Sequence, residues 1–507
     1  MNSAALARNE LRNPIATAFV ALSLVFGTLF AFLTPPFQVP DEPSHYLRAY
    51  AISEGSFRVR LYDRAPAQPL PENLLLFATE LVGSRTGDQR QLITVGEIRH
   101  ALRYRLQPEK RVLELVPHEK ADPVAFTAGG YPPLLYLPAA AGHTIGRALD
   151  LPLLVSFYVC RLLNLFASVA IGYAAVRIAP FGRLSLASIG LLPMTAFLRS
   201  SLSPDSLVIS LALVCFAFAI SAQIASRWRG RKDFRSLMLL TFVVATAKPL
   251  YLLLPALGLL AAFRNHKMQA GRVLAVGFTI LTAAFATFLW VTAPLAEGSP
   301  DLELASRSSE RHRSSQDHAA GTNLNFSAQM REIVENPGRF VRLVAASYIR
   351  EAEPLAYQFA GRFGWLDTPF PFTLRMLLLI FLILAAFTDG LPEWSLRIWQ
   401  RAVLVGSFFG TLIITATILY LVWTPVGAAQ IEGLQGRYFI PIAPAILLAL
   451  TSGRLSIVMN DFRRAWFFVA LFSVALSIAA WSIASRFYGV VPSPVNYIAE
   501  GMLYPAE

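Results

Sequence analysis

Apolar stretches recur along this 507-residue chain, several of them near 20 residues long. That is roughly the length an α-helix needs to cross the hydrocarbon core of a bilayer. The runs are Ile15–Leu33, Leu151–Ile178, Leu184–Leu198, Leu207–Ala225, Leu237–Ala247, Leu250–Phe263, Val273–Ala293, Phe372–Phe387, Ala402–Trp423, Phe439–Leu450 and Trp466–Ala484. A further run, Tyr131–Leu149, is rich in proline at its start. It is read as a helix lying on the membrane surface or dipping into it. The expected fold is therefore an all-α integral membrane protein with about eleven transmembrane helices. Charge content agrees: only 15% of residues are charged, against about 25% in soluble domains. A lipid-facing surface needs no polar cover.

The net charge of +12 would suggest nucleic acid in a soluble protein. Here the basic residues sit in short stretches between apolar runs, as in Arg227-Trp228-Arg229-Gly230-Arg231-Lys232. Such stretches mark cytoplasmic loops, so no nucleic-acid partner is expected. Arg8 and Arg12 precede the first run, which ends in Thr34-Pro35-Pro36 without a small-x-small cleavage site. The first run is read as an uncleaved helix with its N-terminus inside. Arg177/Arg183, Arg227–Arg235, Arg264–Arg272, Arg397/Arg401 and Arg463/Arg464 then all fall on the cytoplasmic side.

That alternation depends on Ser236–Phe263. Read as one long span, the segment would put Arg264–Arg272 outside. The favoured alternative is a re-entrant hairpin with Lys248-Pro249 at its tip, because proline interrupts a hydrogen-bonded helix. Broken helices are tolerated in membranes where they line cavities.

On this topology one polytopic domain, 1–507, carries two large extracytoplasmic loops, 35–150 and 294–371, with juxtamembrane helices. The stretch Ser306–Asn323 reads as a mobile loop tip. Unusual polar residues from distant segments gather on the outer face, which is the main argument for a site there. In Pro35-Pro36-Phe37-Gln38-Val39-Pro40-Asp41-Glu42-Pro43-Ser44-His45-Tyr46-Leu47-Arg48, prolines keep the chain extended until a helix starts near Asp41. Adjacent carboxylates Asp41 and Glu42, with His45 one turn on, suit general-base or metal-binding work. The plain alternative is a helix start with Asp41 as N-cap. Asp205, in Ser203-Pro204-Asp205, carries the same pair of readings. Arg161 lies within an apolar run, where a charge faces protein or water, or snorkels outward. Lys248 either meets a lipid phosphate as a point charge or pairs with an acid.

Tyr131 begins a proline-stiffened interfacial segment. Trp365 and Asp367 lie in Gly361-Arg362-Phe363-Gly364-Trp365-Leu366-Asp367, and Gln435, Arg437 and Tyr438 in Gly433-Leu434-Gln435-Gly436-Arg437-Tyr438. Aromatic rings can stack on sugars and arginine can grip phosphate bidentately; an interfacial belt of the same residue types is the alternative. No Walker loop, Gly-rich nucleotide fingerprint or His-Glu-x-x-His motif occurs, so a nucleotide cofactor is not expected. His118, His312 and His318 lack metal spacing. Cys160 and Cys215, the only cysteines, fall in apolar runs and read as packing residues.

Pro35–Ala49, together with Ser203-Pro204-Asp205, Lys248-Pro249, Gly364-Trp365-Leu366-Asp367 and Gln435-Gly436-Arg437-Tyr438-Phe439, resembles the bacterial membrane-protein family called domain of unknown function 2142. The likeness runs from Ile15 to about Ala484. That family is similar in layout to the C-type (GT-C) glycosyltransferases, an analogy of architecture. It implies a multi-pass protein of the bacterial cytoplasmic membrane. The implied reaction is inverting sugar transfer from a polyprenyl-phosphate donor to a cell-envelope glycan or lipid acceptor on the outer face. Asp41 would be the general base, with Glu42 as a second catalytic candidate. His45, Arg48, Tyr131, Arg161, Asp205, Lys248, Trp365, Asp367, Gln435, Arg437 and Tyr438 are the candidate substrate-binding residues. A divalent cation, Mg or Mn, at Asp41 and Asp205 is compatible with this reading but not required. A lipid-linked glycan transporter or flippase, and a polysaccharide polymerase or ligase, are the rival readings.

Overall fold

Prolines punctuate the chain, standing at or just before the first turn of helix after helix, where a missing N–H costs nothing. The computed structural model describes residues 14–57, 60–62, 65–67, 69–82, 92–109, 111–113, 131–224, 228–263, 269–296, 325–391, 395–452 and 461–489. Ser306–Asn323, His118, His312 and His318 lie outside the described residues.

Helix α1 spans Pro14–Leu33 and α2 Glu42–Ser53. Two short antiparallel ribbons, Arg60–Tyr62 with Ala65–Ala67 and Pro69–Pro71 with Arg111–Leu113, belong to the first long loop. Within it lie α3 (Glu72–Val82) and α4 (Val95–Ala101). A 3₁₀ turn at Pro133–Tyr136 leads into α5 (Leu137–Ala148), then α6 (Leu153–Ile178). The chain continues through α7 (Arg183–Leu191), α8 (Pro193–Arg199), α9 (Asp205–Ser221), α10 (Arg231–Ala247), α11 (Gly258–Ala262) and α12 (Ala270–Ala296). Helices α13 (Phe326–Glu335), α14 (Pro337–Arg350) and α15 (Ala352–Ala360) follow. The last are α16 (Phe372–Thr388), α17 (Ile398–Val422), α18 (Ala443–Leu450) and α19 (Asp461–Tyr488).

The described architecture is thus helical apart from the two ribbons. Among the described residues five helices are long and apolar enough to cross a membrane: α1, α6, α12 (as Ala270–Leu289), α17 and α19 (as Arg463–Tyr488). Shorter apolar helices include α9 and α16. The proline-led segment 131–149 forms a 12-residue helix, α5, which at 1.5 Å rise per residue is too short to span. It packs antiparallel on α6 through small residues. Gly142 lies against the Cys160 backbone and Gly146 against Ser156, with no space for a Cβ at either glycine. Small residues at such spacing let helix backbones approach closely.

The segment after α10 folds back on itself. Lys248 breaks the helix with an extended backbone (φ −143°, ψ 101°) ahead of Pro249. Gly258 then packs on Met238 and Val276. Arg272, at the start of α12, stacks over Phe234, at the start of α10, 5.2 Å from the ring centroid. The chain has therefore gone out and returned, as the hairpin reading expects.

The helix ends sort into two groups. At one end Asp389 accepts from the Ser185 amide at 2.9 Å, Gln400 donates to Gln223 at 2.6 Å, and Arg401 donates to the Thr451 carbonyl at 2.9 Å. Arg464 reaches the Thr388 carbonyl there as well, at 2.9 Å. The opposite ends of these helices carry Asp205, Lys248, Arg437 and Arg486. A main apolar core fills the helical bundle. A second buried cluster of Phe37, Tyr46, Phe77, Tyr136, Phe157 and neighbours fixes the first loop to the N-terminal half of α6. Cys160 and Cys215 are free and buried.

Candidate functional site

The acidic pair after α1 divides into two unlike residues. Glu42 is fully buried and accepts four hydrogen bonds: Arg161 Nε at 2.9 Å, Arg161 Nη2 at 2.6 Å, the Phe37 amide at 3.0 Å and the Leu202 amide at 3.1 Å. Arg161 spends its remaining donors on the carbonyls of Ala31 (2.8 Å), Thr34 (2.6 Å) and Pro35 (3.1 Å). Its guanidinium also lies over Phe157, 4.5 Å from the ring centroid. Neither side chain has capacity left for a substrate. The expectations of a catalytic Glu42 and a substrate-binding Arg161 are corrected accordingly. The pair ties α1, α6 and the turn before α9 together.

Asp41 occupies the N-cap position of α2 but does not cap it. Its backbone is left-handed (φ 64°, ψ 2°) and its side chain makes no capping bond. A left-handed non-glycine residue costs about 1–2 kcal/mol, and a lost cap about 1 kcal/mol more. The capping reading fails for this reason. The carboxylate instead accepts from Arg437 Nη2 at 3.0 Å, with the Asp41 side chain 50% exposed and that of Arg437 5%. Phe37, itself left-handed, shapes the turn that delivers Asp41.

Asp205 does not cap α9 either: Pro204 holds the N-cap position and Asp205 is the first residue of the helix, its amide donating to Ser203 Oγ at 3.2 Å. Its buried carboxylate pairs with Lys248 Nζ. Lys248 lies 4.9 Å from the centroid of the Tyr438 ring, and Arg437 lies 5.6 Å from the same ring. Two cations therefore share one aromatic ring. Tyr251 donates to the Tyr438 carbonyl at 2.9 Å. The Gly436 amide donates to Gln358 Oε1 at 2.9 Å, and a Cβ at Gly436 would lie 2.0 Å from the Leu355 carbonyl oxygen. Glycine is required there by close backbone approach. Among the described residues Arg437 Nε and Gln435 Oε1 are buried without a hydrogen-bond partner.

His45 hydrogen-bonds Tyr136 through Nδ1 at 3.0 Å and meets the Tyr131 ring edge-on at 6.1 Å. Burial drives its pKa down to about 4, outweighing the fields of Asp41 and Asp205. The imidazole is neutral near pH 7. Asp41, Asp205, Arg437 and Lys248 all act on it electrostatically, which gathers these five groups, with Tyr131 and Tyr438, into one site.

Three other candidates serve the scaffold. Arg48 is buried and donates to the carbonyls of Phe57 (2.8 Å), Tyr131 (3.2 Å) and Ser56 (3.4 Å), closing the loop rather than meeting an anion. Trp365 Nε1 donates to the Phe37 carbonyl at 3.1 Å. Asp367 is held by Arg486 at 2.8 Å and by Thr368 Oγ1 at 3.2 Å. Their substrate-binding reading gives way to that of a clasp joining the first loop, the 361–368 turn and the end of α19. Tyr251, Gln358 and Arg486 are partners the sequence did not single out, while Tyr136 closes the aromatic segment that Tyr131 begins. An arginine closing a long apolar helix looks like ordinary snorkelling.

A divalent cation does not fit Asp41 and Asp205 as they stand. Each carboxylate already faces a cation, and among the described residues no three His, Cys, Asp or Glu side chains converge.

The bundle of long apolar helices, with a charged cluster at one end, defines a multi-pass membrane protein. The chain belongs to the family described as predicted membrane protein, domain of unknown function 2142 (DUF2142), whose match covers residues 24–446. No curated protein and no solved structure matches it.

Proposed function

We propose that the protein is a membrane glycosyltransferase with a GT-C-like architecture. It would move a sugar from a polyprenyl-phosphate donor to an envelope glycan or lipid acceptor. In this reading about eleven segments span the bacterial cytoplasmic membrane. The arginine-rich helix ends face the cytoplasm, and the cluster around Asp41 opens outside. The observation that carries the reading is the Asp41 carboxylate. It is half-exposed, held by a strained backbone and not used as a cap, beside Arg437, Lys248, Tyr131 and Tyr438.

Asp41 takes the proton of an acceptor hydroxyl, whose oxygen attacks the anomeric carbon. The bond from that carbon to the phosphate oxygen breaks, and polyprenyl phosphate leaves with the electron pair. Arg437 and Lys248 offset the charge developing on the phosphate. Tyr131 and Tyr438 line the sugar.

The test is release of polyprenyl phosphate from a panel of polyprenyl-phosphate sugars, followed by mass spectrometry on the detergent-purified protein. Release that disappears in Asp41→Asn is the expected result. Undiminished release in that variant would remove Asp41 as base. No release from any donor would favour a glycan flippase or a polymerase that needs a larger substrate.

A further inference from the structure

We propose that the Asp41–Arg437 ion pair is a latch that a substrate phosphate opens, so that donor binding itself frees the base. This rests on the glycosyltransferase reading and adds how its site is switched on.

The two partners are unequally buried. Arg437 is 5% exposed and Asp41 50%. Separating them leaves Asp41 in water at small cost, since exposed ion pairs contribute little. It leaves the buried charge of Arg437 offset only by Asp205 and the Tyr438 ring, which favours another anion in the place of Asp41. Asp41 engages only Nη2, at 3.0 Å, while Nε of the same guanidinium is buried without a partner. A phosphate can take both donors in the bidentate geometry that arginine favours.

Charge balance selects which carboxylate yields. Asp41 and Asp205 match Arg437 and Lys248, so the resting cluster is neutral. An incoming phosphate is accommodated by releasing one carboxylate. Asp205 is 8% exposed and bound to a buried lysine, so removing it would strand two charges. Asp41 is the one that can turn to solvent. Lys248 and Arg437 flank the Tyr438 ring, so a phosphate on Arg437 also lies in the field of Lys248. Once released, Asp41 has lost its cation and is free to face an acceptor hydroxyl. Without a donor it stays neutralised.

An aspartate that only repels the phosphate would do so with or without Arg437, whereas a latch competes for Arg437 and its effect disappears in the Arg437→Gln background. Binding of polyprenyl phosphate to the full chain in nanodiscs distinguishes the two. Asp41→Asn is expected to bind about tenfold tighter than the native protein. Arg437→Gln is expected to bind at least about tenfold more weakly, and the double variant to behave as Arg437→Gln. Uncharged polyprenol should show no difference. Equal or weaker binding by a folded Asp41→Asn overturns the latch, and so does native binding by Arg437→Gln. Should Asp41→Asn not fold, Asp41→Ser gives the same readout. A gain with inorganic phosphate too would keep the latch and remove the preference for lipid. A gain with polyprenyl phosphate alongside no transfer from any donor would keep the latch and sink the glycosyltransferase.

Discussion

Glu42→Gln and Asp41→Asn are the same chemical change at adjacent residues, yet the structure assigns them opposite consequences. Glu42 accepts four donors, two on each oxygen. A glutamine must turn its NH2 toward one of those two sets, so either orientation sets two donors against another donor. It also leaves Arg161 charged and fully buried. Removing one partner of a buried ion pair costs about 3–5 kcal/mol. Asp41→Asn removes a half-exposed partner, while Asp205 and the Tyr438 ring still compensate Arg437; its cost is nearer 1 kcal/mol. The assay is thermal loss of the monodisperse peak in size-exclusion chromatography in detergent. Glu42→Gln should melt well below Asp41→Asn, which should lie close to the native protein. A Glu42→Met/Arg161→Met pair should recover part of the loss by removing the uncompensated charge. Recovery should be incomplete, because the carbonyls of Ala31, Thr34 and Pro35 lose their donor. If Glu42→Gln melts with the native protein, the division of labour between the two acids is wrong.

Acid should destabilise the protein through its buried histidines. Burial lowers His45 to about 4 and His143 to about 3, while an unfolded histidine titrates near 6.5. The unfolded chain therefore binds more protons between those values. Stability is full above about pH 6.5 and falls as pH drops toward 4; melts from pH 7.5 to 4 should flatten in a His45→Gln/His143→Gln variant. Gly436→Ala should lower transfer more than about tenfold, because its Cβ would lie 2.0 Å from the Leu355 carbonyl oxygen and 2.6 Å from the Phe359 nitrogen. Both obstacles are backbone, so Arg437 must shift; native turnover in that variant would refute the tight fit. Trp365→Phe should cost about 1 kcal/mol through the lost bond to the Phe37 carbonyl, read as a lower melting temperature.

Much of the architecture follows from sequence alone, because lipid leaves a chain few choices. Each apolar run must satisfy its own backbone, so runs such as Ile15–Leu33 and Ala402–Trp423 become helices wherever they lie. Lys248-Pro249 signals a break for a local reason, the missing amide of proline. The dense polar strings around Asp41, Asp205, Lys248 and Arg437 also stand out locally, since charges beside apolar runs need an explanation. What each charge does depends on partners far away in the chain. Asp41 and Glu42 are neighbours with the same functional group, and one is half-exposed beside Arg437 while the other is locked under Arg161. Arg48, Asp367 and Trp365 are as conspicuous in sequence as Arg437, but the terminal nitrogens of Arg48 are taken up by carbonyls, Asp367 by Arg486 and the Trp365 indole by the Phe37 carbonyl. Spacing along a helix reports which face a residue occupies. It does not report which distant group meets that face, and for a charge in a low-dielectric interior that meeting decides everything else.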